Sequence, residues 1–222
     1  PDLELPLVVL LVSGGHTMLV HMEEHGRYTL LGSTIDDAAG EAFDKTAKLL
    51  GLSGAGGPAV EREALGGNPA KVDLPRPLLD RRGIDMSFSG LKTAVRRAAE
   101  EQMLTPKRRA DICASFQAAV ADILAKRSAR AMGMVADYTD RRTFVVAGGV
   151  AANQTLRMRL EAEAAHHVAT NRPVELSQTP GEVAAIGLWV PTLRTCAIVV
   201  LAPAPLDLRE QRLDAPRAAF EF

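Results

Sequence analysis

The chain has 222 residues, of which 47% are apolar, and its 26 Lys and Arg against 27 Asp and Glu give a formal net charge of −1. This composition is typical of a globular protein with one sizeable core, and it excludes a strongly basic nucleic-acid binder, although local basic pairs remain possible. No apolar run reaches the roughly 20 residues that a membrane-spanning helix needs. Cys113 and Cys196 lack metal-finger spacing and are typical of reduced thiols in a cytosolic protein.

The first part of the chain predicts a β-meander followed by a helix. Short apolar runs at residues 7–12, 18–22 and 28–32 are separated by turns at Gly14-Gly15 and His25-Gly26. Apolar residues at helical spacing then predict a helix over residues 38–50. Asp37 is the predicted N-cap of that helix.

The middle of the chain predicts mostly helix. Residues 51–67 form a glycine-rich loop with a short helix that opens at Pro58, and residues 68–85 are an irregular connector. Ser87 or Ser89 is the predicted N-cap of the next helix, and an alanine-rich helix follows over residues 111–136.

The last part alternates strand and helix before the pattern weakens. Residues 143–147 predict a β-branched strand, and the chain turns through Gly148-Gly149 into a helix that ends near residue 165. This alternation predicts the α/β class. Beyond Val168 the sequence is turn-rich, and the apolar run at 198–205 has no evident partner.

Three Gly-Gly pairs, in "VSGGHT", "GAGGP" and "VAGGVAAN", are candidates for phosphate binding. Glycine lets backbone N–H groups approach a ligand closely, and consecutive amides form a concavity for anions. A hairpin turn needs glycine in any case, so one pair alone says little. Three in one small α/β chain favour a nucleotide site.

Asp44 allows two interpretations. Its spacing favours a solvated helix face on which it pairs with Lys48 at i, i+4. Alternatively, its carboxylate faces the glycine-rich turns and accepts hydrogen bonds from ribose hydroxyls, as acidic residues do in dinucleotide sites.

Other chemistries find little support in the residues. His16 and His21 point to opposite faces of a continuous strand, and no metal-ligand spacing occurs. The motif GxSxG is absent, which disfavours a serine hydrolase. Lys92 and the basic pairs are typical of solvated faces, and at most the pairs offer diffuse contacts with an RNA backbone.

Six motifs together identify a family. In order, they are "LLVSGGHTMLV", "STIDDAAGEAFDKTAKLLGL", "GGP", "SFSGLKTAV", "ICASFQAAVADIL" and "VAGGVAANQTLRMRL". Over residues 7–168 the chain closely resembles the bacterial tRNA N6-adenosine threonylcarbamoyltransferases, formerly labelled O-sialoglycoprotein endopeptidases. The resemblance implies an actin-like, sugar-kinase-type ATPase fold, of which this chain supplies mainly the second lobe.

The resemblance also implies an activity and its accessories. The family transfers a threonylcarbamoyl group from threonylcarbamoyl adenylate to N6 of the adenosine beside the anticodon, in tRNAs that read ANN codons. It acts in the cytoplasm with a paralogous partner subunit and a small ATPase, and it holds one iron or zinc ion. The implied substrate-binding residues are Leu11, Val12, Ser13, Gly14, Gly15, Asp44, Gly57 and Asn153. No general base is implied.

The chain also departs from the family pattern. The family's first lobe and its HxxGH metal ligands are expected before residue 1, and Thr179 stands where the third ligand is expected, so we expect no metal ligand here. We therefore expect an N-terminally truncated chain with a family-like lobe at 1–168 and a divergent tail at 169–222, either translated out of frame or poorly ordered. A non-catalytic nucleotide-binding or partner-docking module of the same fold is the alternative function, and a small-molecule kinase is a weaker one.

Overall fold

The computed structural model describes residues 5–54, 56–135, 143–170, 184–190 and 195–201, and its side chains up to residue 166. Its strands form one sheet in the order β3-β2-β1-β4-β6-β5. They are β1 Leu7–Val12, β2 Thr17–Glu24, β3 Arg27–Ser33, β4 Thr143–Ala147, β5 Ala184–Val190 and β6 Thr195–Leu201.

The sheet confirms the predicted meander and the α/β class. Strands β1, β2 and β3 pair antiparallel in sequence order, whereas β1 and β4 run parallel. The apolar run at 198–205, which has no evident partner in the sequence, does pair in its described part: β6 runs antiparallel to β4 and places Ile198 opposite Val146. Strand pairing between distant segments leaves no local signal in the sequence.

Five helices and one 3₁₀ turn complete the described chain. The helices are α1 Ala39–Leu49, α2 Gly56–Ala64, α3 Ser89–Glu100, α4 Pro106–Val135 and α5 Gln154–Thr170, and the 3₁₀ turn is Gly149–Ala152. Helix α4 begins five residues earlier than predicted. The Thr105 hydroxyl accepts a hydrogen bond from the Arg108 amide at 3.2 Å, and Pro106 occupies the first helical position that proline favours.

The predicted N-cap of α1 is wrong. Ala38 occupies that position without a side-chain hydrogen bond, and the Thr17 hydroxyl of β2 accepts from the Ala39 amide at 2.8 Å instead. Asp37 forms an ion pair with Lys45, with 2.6 Å between Oδ1 and Nζ. The first turn of α1 is thus tied to the strand that follows the first Gly-Gly turn.

The predicted N-cap of α3 is also wrong, because a distant carboxylate performs that task. Phe88 is the N-cap residue, and the Asp36 carboxylate accepts hydrogen bonds from its amide at 2.8 Å and from the Ser89 amide at 3.2 Å. The hydroxyls of Ser87 and Ser89 donate to the same carboxylate at 2.5 and 2.7 Å. Although partial burial opposes it, these four hydrogen bonds lower the pKa of Asp36.

The core lies between one face of the sheet and the helices. Val8, Leu10 and Val12 of β1 pack there with residues of all five helices, and Phe43 meets Phe116 edge to face at 5.0 Å. Burial raises the pKa of the Cys113 thiol to about 12, which keeps it protonated. Cys196 lies outside the described side chains.

Two further predictions concern the whole chain. In the described part, none of the helices is both long and apolar enough to cross a bilayer. The division into 1–168 and 169–222 stays a prediction, since most of the second segment lies outside the described residues.

Candidate functional site

A cavity of about 220 Å³ opens where the glycine-rich segments converge at the carboxyl ends of β1 and β4. Four of the predicted substrate-binding residues line it, namely Gly14, Asp44, Gly57 and Asn153. The carboxyl edge of parallel strands is the usual place for a ligand in an open α/β sheet. The convergence therefore supports a binding site at this edge.

The other four predicted residues do not line the cavity. Val12 is fully buried in the core, and Leu11 is its neighbour on a strand whose side chains alternate between faces. Ser13 and Gly15 are part of the turn that holds Gly14. These four residues precede or flank Gly14 in the chain without lining the cavity.

In the turn at residues 13–16, here called the first glycine turn, most backbone amides donate hydrogen bonds to acceptors within the turn itself. The Ser13 hydroxyl oxygen accepts from the amides of Gly15 at 3.3 Å and His16 at 3.0 Å, and the Ser13 amide donates to the His16 carbonyl at 2.8 Å. Of the four amides, only that of Gly14 has no partner among the residues the structure describes. A turn closed in this way offers little to an anion.

Helix α1 begins against the first glycine turn. The Gly40 amide donates to the Ser13 carbonyl at 3.1 Å, and a Cβ at Gly40 would lie 2.6 Å from that oxygen. Only glycine fits this approach. The contact fixes α1, and with it Asp44, relative to the sheet.

The turn at residues 148–153, here called the second glycine turn, has a different geometry. Gly148 has a φ of +112°, and a Cβ there would lie 2.2 Å from the Val12 carbonyl oxygen. Gly149 and Val150 follow at the start of the 3₁₀ turn and line the cavity. The first amides of a helical segment lack acceptors within it, so these two are available to a ligand.

Asp44 points into the cavity, and the predicted ion pair with Lys48 is not formed between these two described residues. A Cβ at Gly56 would lie 2.0 Å from Asp44 Oδ1, so the glycine at the start of α2 lets this carboxylate approach the backbone. The nearby cation, Lys45, pairs with Asp37 and Glu41 instead. Within the described residues this carboxylate has no hydrogen bond or ion pair, so it can accept hydrogen bonds from a ligand.

Asn153 has a structural role in this state. Its side-chain oxygen accepts from the Leu156 amide at 3.0 Å and so caps α5, and its side-chain nitrogen donates to Gln117 at 3.3 Å. With 6% of its surface exposed, it closes the base of the cavity. Its side-chain nitrogen and oxygen are thus both engaged within the protein, and Asn153 shapes the cavity wall.

Sequence reasoning missed Glu61, which also lines the cavity. Its carboxylate accepts from the Gln154 amide at 2.7 Å and so joins α2 to the start of α5. Glu61 lies four residues after Gly57 on the same helix, and residues at i and i+4 share a helix face. That spacing could have identified it.

The candidate histidines and lysine lie apart from the cavity. His16 is exposed in the first glycine turn, and Lys92 is exposed on α3. His21 is buried in β2, where desolvation lowers its pKa and its Nε2 lacks a partner in the described part of the chain. Neither histidine has the companions of a metal ligand.

A metal ion does not fit the described residues. Within them no group of three or more His, Cys, Asp or Glu side chains lies close enough to hold an ion. The position of Thr179, where the resemblance expects a ligand, lies outside the described part. The resemblance implies that proteins of this family hold one metal ion.

Comparison with known proteins identifies the family. A family profile described as tRNA N6-adenosine threonylcarbamoyltransferase matches residues 1–182. Proteins of that name from Brucella anthropi and Rhodospirillum rubrum are 58% and 57% identical to the chain, over 74% and 71% of its length. The counterpart from Jannaschia sp. is 56% identical over 72% of the chain.

These alignments cover 47%, 45% and 45% of the Brucella, Rhodospirillum and Jannaschia proteins, so the chain spans about half the length of the curated relatives it matches. The profile extends at both ends beyond residues 7–168, the span of the resemblance given above. The α/β sheet and helices agree with the actin-like fold that the resemblance implies. The chain belongs to the tRNA N6-adenosine threonylcarbamoyltransferase family.

Proposed function

We propose that this chain binds threonylcarbamoyl adenylate in the cavity and takes part in transferring its threonylcarbamoyl group to N6 of a tRNA adenosine. The supporting observation is the Asp44 carboxylate, which faces the cavity beside the second glycine turn without an ion-pair partner in the described chain. A carboxylate and open amides are the groups that bind ribose hydroxyls and a phosphate, respectively.

Five of the cavity-lining residues have a defined task in this proposal. Asp44 accepts hydrogen bonds from the ribose hydroxyls, and the amides of Gly149 and Val150 donate to the phosphate. Glu61 and Asn153 hold the start of α5 in place, so these amides keep a fixed direction. Such preorganised donors stabilise developing negative charge without reorganising during the reaction.

The transfer itself is an acyl transfer from a mixed anhydride. The N6 amine attacks the carbamoyl carbon, and the bond from that carbon to the phosphate oxygen breaks. AMP leaves with the electron pair, and the amine nitrogen loses a proton. The chain contributes by positioning the adenylate and by stabilising the charge that develops on the leaving phosphate.

The accessories implied by the resemblance belong to the same proposal. They are the tRNA substrate, the paralogous partner subunit, the small ATPase and a cytoplasmic location. Because the described residues do not fit a metal ion, no step here passes through the iron or zinc that the resemblance implies. In this proposal the chain supplies the adenylate-binding cavity, and the partner subunit acts alongside it.

Calorimetry with AMP as the probe tests the adenylate site. We expect the unchanged chain to bind AMP and Asp44→Ala to bind at least tenfold more weakly, since a hydrogen bond to a charged group contributes about 1.5–3 kcal/mol. Lys48→Ala is the matched control, because Lys48 lies one turn along the same helix outside the cavity lining. Loss of affinity in both variants, or in neither, contradicts the assignment of Asp44.

A second assay separates transfer from binding. Purified chain, supplied with threonylcarbamoyl adenylate and tRNA, is tested for modified adenosine with and without the partner subunit. Modification in either reaction that is lost with Asp44→Ala supports the proposal. AMP binding without modification in either reaction favours the non-catalytic module.

A further inference from the structure

Two arginines of α4 hold the loop at residues 78–83, here called the arginine loop. Arg127 donates through Nη1 to the carbonyls of Arg81, at 3.2 Å, and Gly83, and through Nη2 to that of Leu78. Arg130 donates to the Arg81 carbonyl at 2.6 Å and to a neighbouring carbonyl at 3.1 Å. All these acceptors are neutral backbone oxygens, so the contacts orient the loop without neutralising either guanidinium.

The charge under the arginine loop is only partly compensated. Arg127 is 1% exposed, and its Nε has no partner in the part of the chain that the structure describes. Burial and the neighbouring Arg130 charge lower its pKa, against the fields of Asp80 and Asp85. The loop and the helix α4 beneath it carry four arginines, Arg81, Arg82, Arg127 and Arg130, against these two aspartates, a net charge of +2. A buried charge without a carboxylate hydrogen-bond partner is costly, and a nearby anion reduces that cost.

The loop presents two of its arginines to solvent. Arg81 and Arg82 are exposed on the rim of a hollow of about 510 Å³ that Arg130 also lines. Neither of the two side chains has a hydrogen-bond or ion-pair partner among the described residues. Leu78 has a φ of +62°, a conformation that leucine rarely adopts, and the hydrogen bonds from Arg127 and Arg130 to the loop carbonyls hold the backbone in place.

Residues 84–89 follow the arginine loop in the chain and contact the segment that leads into α1. Asp85 accepts from the Ser33 amide at 3.1 Å, Met86 pairs with Thr34 as a parallel bridge, and Ser87 donates to Asp36. Six extended residues span at most about 20 Å. The exposed arginines therefore lie within about 20 Å of the segment that leads into α1, the helix that carries Asp44.

We propose that the arginine loop binds the phosphate backbone of the RNA whose adenosine is presented to the cavity, an inference that rests on the proposed function. A guanidinium matches two phosphate oxygens at once, and its planar fork is preorganised, so less rotamer entropy is lost per hydrogen bond formed. Successive phosphates of one RNA strand can meet Arg81 and Arg82 together. Such contacts position the RNA and do not read its sequence.

The test is tRNA binding by the full chain, followed by fluorescence anisotropy at several salt concentrations. We expect Arg81→Ala/Arg82→Ala to bind on the order of tenfold more weakly and to lower the slope of log K against log salt by about 2. The helix α3 pair gives the matched control, Arg96→Ala/Arg97→Ala, which removes the same charge from another exposed pair. We expect the control to stay within about threefold of the unchanged chain.

The outcomes separate this inference from the proposed function. Equal weakening by both double variants, or weakening by the control alone, overturns it, as does a chain that binds no tRNA. AMP binding measured on the same variants reports on the cavity, and we expect it to stay unchanged. If Arg81→Ala/Arg82→Ala instead weakens binding to polyglutamate and leaves tRNA binding intact, the loop recognises acidic protein and the inference is wrong.

Discussion

The two glycine turns of the cavity share a sequence pattern and differ in what they offer a ligand. Each follows a neighbouring strand of the same sheet, with Ser13 before the glycines of the first turn and Ala147 before those of the second. The serine hydroxyl binds the amides of its own turn, whereas alanine has no group that can do so. The Ser13 hydroxyl thus closes the first turn on itself, whereas the second turn leaves its first two amides without an acceptor among the described residues.

The largest effect that tests this comparison is on stability. Gly148→Ala places a Cβ 2.2 Å from the Val12 carbonyl at a φ of +112°, so we expect a loss of about 3–5 kcal/mol in the free energy of unfolding. In the same urea titration, Gly149→Ala is the control, because its Cβ would meet no atom within 4 Å. A loss below about 1 kcal/mol for Gly148→Ala would mean that Gly148 does not pack against the Val12 carbonyl as described.

The next effect is on ligand affinity and decides which turn binds phosphate. Gly149→Pro removes one cavity-lining amide at a position where proline suits the backbone, so we expect AMP to bind about tenfold more weakly. Ser13→Ala removes the hydroxyl that closes the first turn. For it we expect AMP affinity within about twofold and a stability loss of about 1 kcal/mol.

Calorimetry with AMP on both variants makes the comparison direct. If Ser13→Ala weakens AMP binding more than Gly149→Pro does, the first turn is the phosphate site. Far-ultraviolet circular dichroism checks that α5, which begins after the second turn, is intact in Gly149→Pro. A matching spectrum assigns the affinity change to the lost amide.

Much of the architecture could be predicted from local pattern. Strand β4 has the predicted bounds, and α1 differs from its prediction by one residue at each end, because apolar periodicity is a property of the segment itself. The caps of α1 and α3 could not be predicted, because Thr17 and Asp36 come from other elements. The pairing of β4 with β6 depends on tertiary contacts in the same way.

The candidate site likewise combines features that the local sequence predicts with features that depend on tertiary contacts. The glycines of both turns signalled a nucleotide site from the sequence, and Gly14, Asp44, Gly57 and Asn153 do line one cavity. The sequence does not show that Ser13 closes the first turn or that Asn153 caps α5, since each depends on where a short polar side chain points. Whether these residues bind substrate stays a prediction until the affinity measurements above are made.

The smallest effect concerns the hairpin that the first glycine turn closes. His21 lies in β2, where burial lowers its pKa below the ordinary 6.5 against the opposing effect of Glu23. The unfolded state therefore binds the proton more readily than the folded state, so this residue destabilises the fold as the pH falls below about 6.5 and has no effect well above it. The second glycine turn follows β4 and contains no titratable side chain.

Urea unfolding at pH 8 and at pH 5 measures this dependence. We expect His21→Gln to unfold with a smaller difference between the two pH values than the unchanged chain, whereas His25→Gln, at the exposed β2–β3 turn, should keep the full difference. Asp36 also has a lowered pKa, but its contribution to stability is lost only as the pH falls below about 3.8, so it changes little between pH 8 and pH 5. Identical pH dependence in both histidine variants would leave His21 with no part in the pH dependence of stability.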